Sequence, residues 1–249
     1  MGSCCPGRTI RACRTLDVIP RSRQQLLTLI AIALTFGSGA NDVAAFTRLG
    51  GVFTSVMTGN IVFFGLAVAE RSVSLASHTA VSVAGYIIGV AVATRVSYGT
   101  RKRSSTTGGG VLPRHVRWAL SAELVLLAGG AVGWEITGAR PHGGAEFVLL
   151  AVAAAAMGMQ SATVSEMGFS NFSTTFLTGT LTWLVSSVVR PGQDASDWPR
   201  RVSALIALAA GACLSGFLVA NAVRVVPVLA LAGVGTGLVL SRRAVHERD

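Results

Sequence analysis

Residues 72–94 read SVSLASHTAVSVAGYIIGVAVAT, and residues 95–117 read RVSYGTRKRSSTTGGGVLPRHVR. The first stretch carries no charge and reaches the ~20 residues that a helix needs to cross a hydrocarbon core. The second holds Arg95, Arg101, Lys102, Arg103, Arg114 and Arg117. An apolar run closed by a basic cluster reads as a membrane span with its cytoplasmic end marked. The same texture extends both ways along the chain. Uncharged runs cover Gln24–Asn41, Leu49–Ala69, Phe147–Ser165, Met167–Val189, Val202–Val223 and Val225–Ser241, and Trp118–Trp134 is interrupted only by Glu123. Lipid leaves the backbone of such runs no outside partners, so each is expected to be helical. Strand-type alternation is absent, which argues against a β-barrel.

Composition agrees. Of 249 residues, 51% are hydrophobic and 13% charged, against about 25% charged in a soluble domain. So few charges cannot cover so much apolar chain in a soluble globule. Disorder requires the opposite balance, and four Cys without CxxC spacing exclude a disulfide scaffold or a zinc module. The net charge of +10 suggests nucleic acid until its placement is read. The basic residues sit at the ends of apolar runs, and only 6% of residues are aromatic, so no nucleic-acid partner is expected. Residues 1–23 lack the apolar core of a signal peptide and read as a basic, disordered cytoplasmic tail. Residues 24–241 read as one membrane domain, in halves of about 24–138 and 146–241. Residues 242–249 read as a basic cytoplasmic C-terminus.

The halves echo each other. Met57-Thr58-Gly59-Asn60 reappears as Leu177-Thr178-Gly179-Thr180. Each motif follows an apolar helix with a polar break, Gly39-Ala40-Asn41-Asp42 in one half and Met159-Gln160-Ser161 in the other. Small-xxx-small pairs follow each motif, Gly85 with Gly89 and Ala212 with Gly216, as close helix packing in lipid favours. Such order suggests a duplication, a common transporter plan. With eight crossings and a cytoplasmic N-terminus, the Arg95–Arg117 connection falls outside, against the positive-inside rule. With two re-entrant Thr-Gly segments, six spans remain and the basic connections and both termini fall inside. The halves then form inverted 3+3 repeats, and the Thr-Gly motifs are expected to line a cavity. The lengths of the two Thr-Gly runs, each enough to span, argue for the eight-crossing arrangement.

Two carboxylates stand out, Asp42 at the end of the first run beside Asn41 and Glu123 inside the Trp118–Trp134 run. Asp42 is a candidate proton relay or cation ligand, because a carboxylate in hydrocarbon normally faces a partner or water. Its other reading is an interfacial Asp paired with Arg48. Glu123, one to two turns inside its run, is a candidate proton carrier or amine ligand; its other reading is a side chain paired toward Arg114 and Arg117. Asn41, Thr58, Gly59, Asn60, Gln160, Thr178 and Gly179 complete a candidate substrate or ion pathway, since a Gly break exposes backbone groups and Thr, Asn and Gln add ligands. The competing reading is local helix bonding and packing. His78, His115, His142 and His246 are scattered, and neither HExxH, GxSxG, a Walker loop nor GxGxxG occurs in a supporting context. No enzyme, metal or cofactor is expected.

The residues resemble the YoaK-like family of bacterial integral membrane proteins. The likeness rests on Gly50-Gly51-Val52-Phe53-Thr54-Ser55-Val56-Met57-Thr58-Gly59-Asn60, on Gly85-Tyr86-Ile87-Ile88-Gly89, on Met157-Gly158-Met159-Gln160-Ser161-Ala162 and on Thr174–Thr180. It covers roughly Leu26 to Leu240, and the basic extension before Gln24 lies outside it. The resemblance implies a polytopic protein of the cytoplasmic membrane, described as a small-molecule transporter, with no established substrate. It also implies a polar-acidic pair at Asn41-Asp42 and an acid at Glu123. The expectation is therefore an all-α polytopic protein of six to eight hydrophobic segments in the cytoplasmic membrane. It moves a small solute as transporter or channel, with proton coupling through Asp42 and Glu123. A non-transporting scaffold, assembled with partners or with copies of itself through small-residue helix faces, is the alternative.

Overall fold

The computed structural model describes residues 21–103, 114–167, 177–189 and 198–246. They form eight helices: α1 (Arg21–Arg48), α2 (Met57–Ala69), α3 (Val73–Arg103), α4 (Arg114–Ile136), α5 (Gly144–Glu166), α6 (Leu177–Val189), α7 (Trp198–Asn221) and α8 (Val226–His246), with a 3-10 turn at Val223–Val225. Six of them contain apolar spans of 19 to 27 residues, long enough to cross a membrane. α2 and α6 have 13 residues each, or about 20 Å at 1.5 Å per residue, short of a ~30 Å hydrocarbon core. The chain is a multi-pass helical membrane protein, with six long helices and two short ones among the described residues.

The first short helix has a local cause. Gly50 (φ 84°) and Gly51 (φ 74°) are left-handed, a conformation that glycine adopts without steric cost. At Gly50 the His78 ring also occupies the space of a Cβ. The helical path therefore stops after Arg48 and restarts only at Met57. The run Leu49–Ala69, long enough on paper to span, is divided by this loop. Its counterpart before α6, residues 168–176, lies outside the described residues. α1 in turn continues past the end of its uncharged run, through Asp42 to Arg48, because Asp42 finds its partners inside the protein.

Glycines set the helix contacts. α1 packs against α7 and α8, α5 packs against α3 and α4, and α4 meets α8. A Cβ at Gly39 would overlap the Leu208 carbonyl, and one at Gly211 the Phe36 carbonyl. A Cβ at Gly158 would likewise overlap the Tyr86 carbonyl, and one at Gly89 the Ala155 carbonyl. Backbone meets backbone at all four places, as small residues permit in lipid. In the second half the contact glycine is Gly211, beside the Ala212–Gly216 pair that spacing singles out. Gly37 faces Ala230 while Gly237 faces Ile30 and Leu34, so α1 and α8 are antiparallel. Arg21 and His246 therefore share one end of the bundle, the terminal end. The other is the Arg48 end, where Leu49, Trp134, Leu149 and Val226 come together.

Candidate functional site

Asp42, 5% exposed, holds the loop that divides α1 from α2. Its Oδ1 accepts hydrogen bonds from the Thr54 N–H, the Thr54 hydroxyl and the Ser55 N–H, each at 2.8 Å. Its Oδ2 accepts from the Ser55 hydroxyl. Asn41 donates from Nδ2 to Thr54 Oγ1 at 3.1 Å. Two loop amides that would otherwise be orphaned inside the protein thus find a charged acceptor, the stronger kind of hydrogen bond. Arg48 does not pair with Asp42; its Nη2 donates to the Val219 carbonyl at 3.3 Å and ties α1 to α7.

Asn60 secures the other side of the loop. Its Oδ1 accepts from the Phe53 N–H at 2.9 Å, and its Nδ2 donates to the Phe53 carbonyl at 2.7 Å and to Ser82 Oγ at 3.0 Å. The amide mimics a neighbouring strand for an extended residue. Ser82 adds a 2.6 Å bond to the same carbonyl, and Phe53 stacks with Phe46 and with Phe63 at centroid distances of 5.2 and 5.8 Å, in a cluster that brings Phe46 and Phe63 to 6.4 Å. Thr54, Ser55 and Ser82 are thus partners of Asp42 and Asn60 that spacing alone does not mark.

The remaining Thr-Gly residues lie elsewhere. Thr58, Thr178 and Gly179 are exposed, and Gly59 sits against the Phe53 ring. None of the four lines either cavity described here. Thr180, 2% exposed, is buried at the motif position where Asn60 stands in the first half. α6 is tied to α7 by a 2.7 Å bond from Trp198 Nε1 to Ser187 Oγ and by the Arg201 guanidinium over the Trp183 ring at 4.1 Å.

A cavity of about 50 Å³ opens at the Arg48 end between α1, α4, α5 and α8, with Asn41, Leu127, Trp134, Ala153, Val226 and Pro227 in its wall. It is roomy enough for water and far below the ~300–1,000 Å³ of a drug-sized site. Trp134 donates from Nε1 to the Val223 carbonyl at 3.0 Å and braces its rim. A second, apolar groove lies between α1, α7 and α8, walled by Leu29, Phe36, Ile206 and Gly233. Toward the terminal end the α1–α4–α5–α8 crevice is filled. Leu27, Ile30, Leu34, Val116, Leu120, Met157, Val164 and Val234 form a packed core there.

Glu123 and Gln160 stand among this core, Glu123 between Leu120 and Leu127 and Gln160 between Met157 and Val164 along their helices. Each is fully buried, as is Ser38. Gln160 donates from Nε2 to the Leu34 carbonyl at 3.3 Å, which bridges α5 to α1. Both Glu123 carboxyl oxygens, Gln160 Oε1 and Ser38 Oγ have no hydrogen-bond partner. Buried polar groups are rarely left so. At the bundle's ends two histidines approach carboxylates: His78 Nε2 lies 3.2 Å from Glu146 and His115 Nε2 lies 3.2 Å from Glu166. The His78 contact is out of hydrogen-bond alignment; that ring is held instead by a 2.7 Å bond between Nδ1 and the Ser74 carbonyl and by stacking on Phe147. Among the described residues no three His, Cys, Asp or Glu side chains gather as metal ligands.

A family model described as "Protein of unknown function (DUF1275)" matches residues 30–241. The UPF0700 transmembrane protein YoaK of Bacillus subtilis (strain 168) is 29% identical over 167 residues, 67% of each chain. No solved structure matches.

Proposed function

This chain belongs to the DUF1275 family, whose function is not known, and we propose that it is a small-solute transporter of the cytoplasmic membrane that opens alternately at its two ends. The support begins with a duplication. One constant shift in numbering takes Phe36 to Ala155 and Gly39 to Gly158; another takes Tyr86 to Leu208 and Gly89 to Gly211. These residues make four of the backbone-to-backbone contacts, so the α1–α7 contact repeats as the α5–α3 contact. The first shift also takes Asn41 to Gln160. Each half has three long helices and one short one. An odd number of crossings inverts the second half relative to the first, the plan of many secondary transporters.

The observation that carries the reading is the unequal filling of this symmetric frame. Leu149 and Ala153 line the cavity at the Arg48 end. The first shift relates them to Ile30 and Leu34, which are fully buried in the packed core near the terminal end. Two inverted halves sharing one crevice, open at one end and plugged at the other, are what a transporter in one of its two states presents. The basic residues near both ends of the chain support a cytoplasmic terminal end by the positive-inside rule, and in this reading the cavity faces outward. Asp42 serves as the anchor of the loop, and Asn41 faces the solute.

The test starts with a thermal-shift screen of small solutes on the purified chain, since a bound solute stabilises the native state. Solutes that raise the melting temperature are then followed into proteoliposomes. Gly130 lines the cavity, and a Cβ there meets only Val152 Cγ1 at 3.6 Å. Gly130→Leu should fill the space, keep the fold and stop uptake. Uptake at the wild-type rate would reject the cavity as the path, and a screen with no stabilising solute would favour the scaffold reading.

A further inference from the structure

We infer that Glu123, Gln160 and Ser38 form an exchangeable proton site at the centre of the bundle, in which a proton on the Glu123 carboxyl is shared toward Gln160 Oε1. The three side chains belong to the stripes that face the shared core. Glu123 stands between Leu120 and Leu127, Gln160 between Met157 and Val164, and Ser38 one turn from Leu34. Helix register brings the first two level. Gly130 meets Val152 and Gly133 meets Leu149 across antiparallel α4 and α5. Two turns further in from the Gly130–Val152 pair stand Glu123 on one helix and Met159, next to Gln160, on the other.

Hydrogen-bond logic selects the occupant. A backbone carbonyl only accepts, so the Leu34 carbonyl requires the NH2 of Gln160 and turns Oε1 away as a free acceptor. An acceptor aimed at this level is the partner of an O–H group and a poor neighbour for a second bare anion. Ser38 supports the same reading. A helical Ser usually donates to the carbonyl four residues back, as Thr35, Ser161 and Thr163 do here at 2.7–2.9 Å. For Ser38 that carbonyl is Leu34's, already taken by Gln160, so its hydroxyl is left to donate toward Glu123. With a proton on Glu123 the carboxyl donates to Gln160 and accepts from Ser38, and none of the three is orphaned. Without it, an isolated carboxylate lies buried among Leu and Met side chains, which is costly. Glu123 lines neither cavity, so the bare proton, which needs no vacant volume, fits better than a metal ion.

The proton would leave to water when the crevice opens to Glu123 from one end and would be regained from water at the other. The O–H bond is the one broken and remade, and the charge left behind is the carboxylate. That route rests on the alternating reading proposed above; the site itself does not. The experiment is difference infrared spectroscopy of the full chain in liposomes. The carbonyl stretch of a protonated carboxyl should vanish from wild type minus Glu123→Gln and move to higher frequency in Gln160→Leu, which removes the acceptor. A carbodiimide that attacks protonated buried carboxyls should modify Glu123 in the wild-type chain, a readout independent of any variant's folding. Loss of a carboxylate band in place of the carboxylic-acid band would overturn the site, as would an acid band unmoved by Gln160→Leu or one that responds to sodium. A protonated Glu123 in a chain with no pH-driven uptake would keep the site and reject the transport reading.

Discussion

Replacing Asp42 separates loop anchorage from ion binding. Asp42→Ala removes the acceptor of two buried amides and two hydroxyls. The Thr54 hydroxyl keeps its contact with Asn41, and the Ser55 hydroxyl can turn. The two amides cannot, and each stranded buried donor costs about 1–3 kcal/mol. A loss of about 3–6 kcal/mol follows once the charged character of the lost bonds is counted. Asp42→Asn is milder. Its Oδ1 still takes both amides, only the Ser55 side must rearrange, and the cost is about 1–2 kcal/mol. At roughly 2–4 °C per kcal/mol for a chain of this size, Asp42→Ala should melt roughly 6–24 °C lower and Asp42→Asn roughly 2–8 °C lower. The assay is thermal unfolding of the purified protein, with hydrogen exchange at residues 52–56 as the local reporter. Unchanged protection of those amides in Asp42→Ala would refute the anchor. Equal damage from Asn and Ala would show that the charge itself is needed, as for a cation ligand.

Other outcomes follow from packing and from the buried carboxyl. Gly39→Ala, Gly89→Ala, Gly158→Ala and Gly211→Ala each force a Cβ onto a facing carbonyl and should lower stability by about 1–3 kcal/mol; Gly65→Ala and Gly99→Ala meet open space and should gain the ~0.5–1 kcal/mol of a better helix residue, as melting temperatures will report. Gly50→Ala meets both a positive φ and the His78 ring; yield of folded protein should collapse and recover in part when His78→Ala opens the space. Trp134→Phe loses the bond to Val223 and should cost about 1 kcal/mol, read as a lower melting temperature. Glu123→Gln should keep the melting temperature within a few degrees and abolish pH-driven uptake, whereas Asp42→Asn should keep uptake.

Length and hydropathy alone place all eight helices, because in lipid each uncharged run has a single way to pair its backbone. They do not tell a spanning run from a re-entrant one. The shortness of α2 turns on Gly50-Gly51 and on hydrogen bonds that Asp42 accepts from a loop 12 and 13 residues away, contacts made only once the chain has turned. Position within a run marks Asp42 and Glu123 as unusual and cannot separate them. In three dimensions one accepts four bonds and the other none. Asn41, Asp42 and Asn60 meet at the first loop, and Glu123 and Gln160 are both fully buried in the bundle. The Thr-Gly pairs that suggest a repeat in the sequence lie outside these sites, since Thr58, Thr178 and Gly179 are exposed. The proposed repeat rests better on the glycines at Gly39, Gly89, Gly158 and Gly211, a set visible only when each is matched with the carbonyl it faces.

Alternate opening of the crevice is best tested by distances across it. Spin labels at exposed positions of α1 and α4 can report both ends, with Thr47→Cys and Ile136→Cys at the Arg48 end and Gln25→Cys and Trp118→Cys at the terminal end. The measurement is electron–electron resonance on the full chain in liposomes, at low and high pH and with any stabilising solute. The account expects two distance populations in each pair, the terminal-end pair lengthening as the Arg48-end pair shortens. A single distance at both ends, unchanged across every condition, would contradict it.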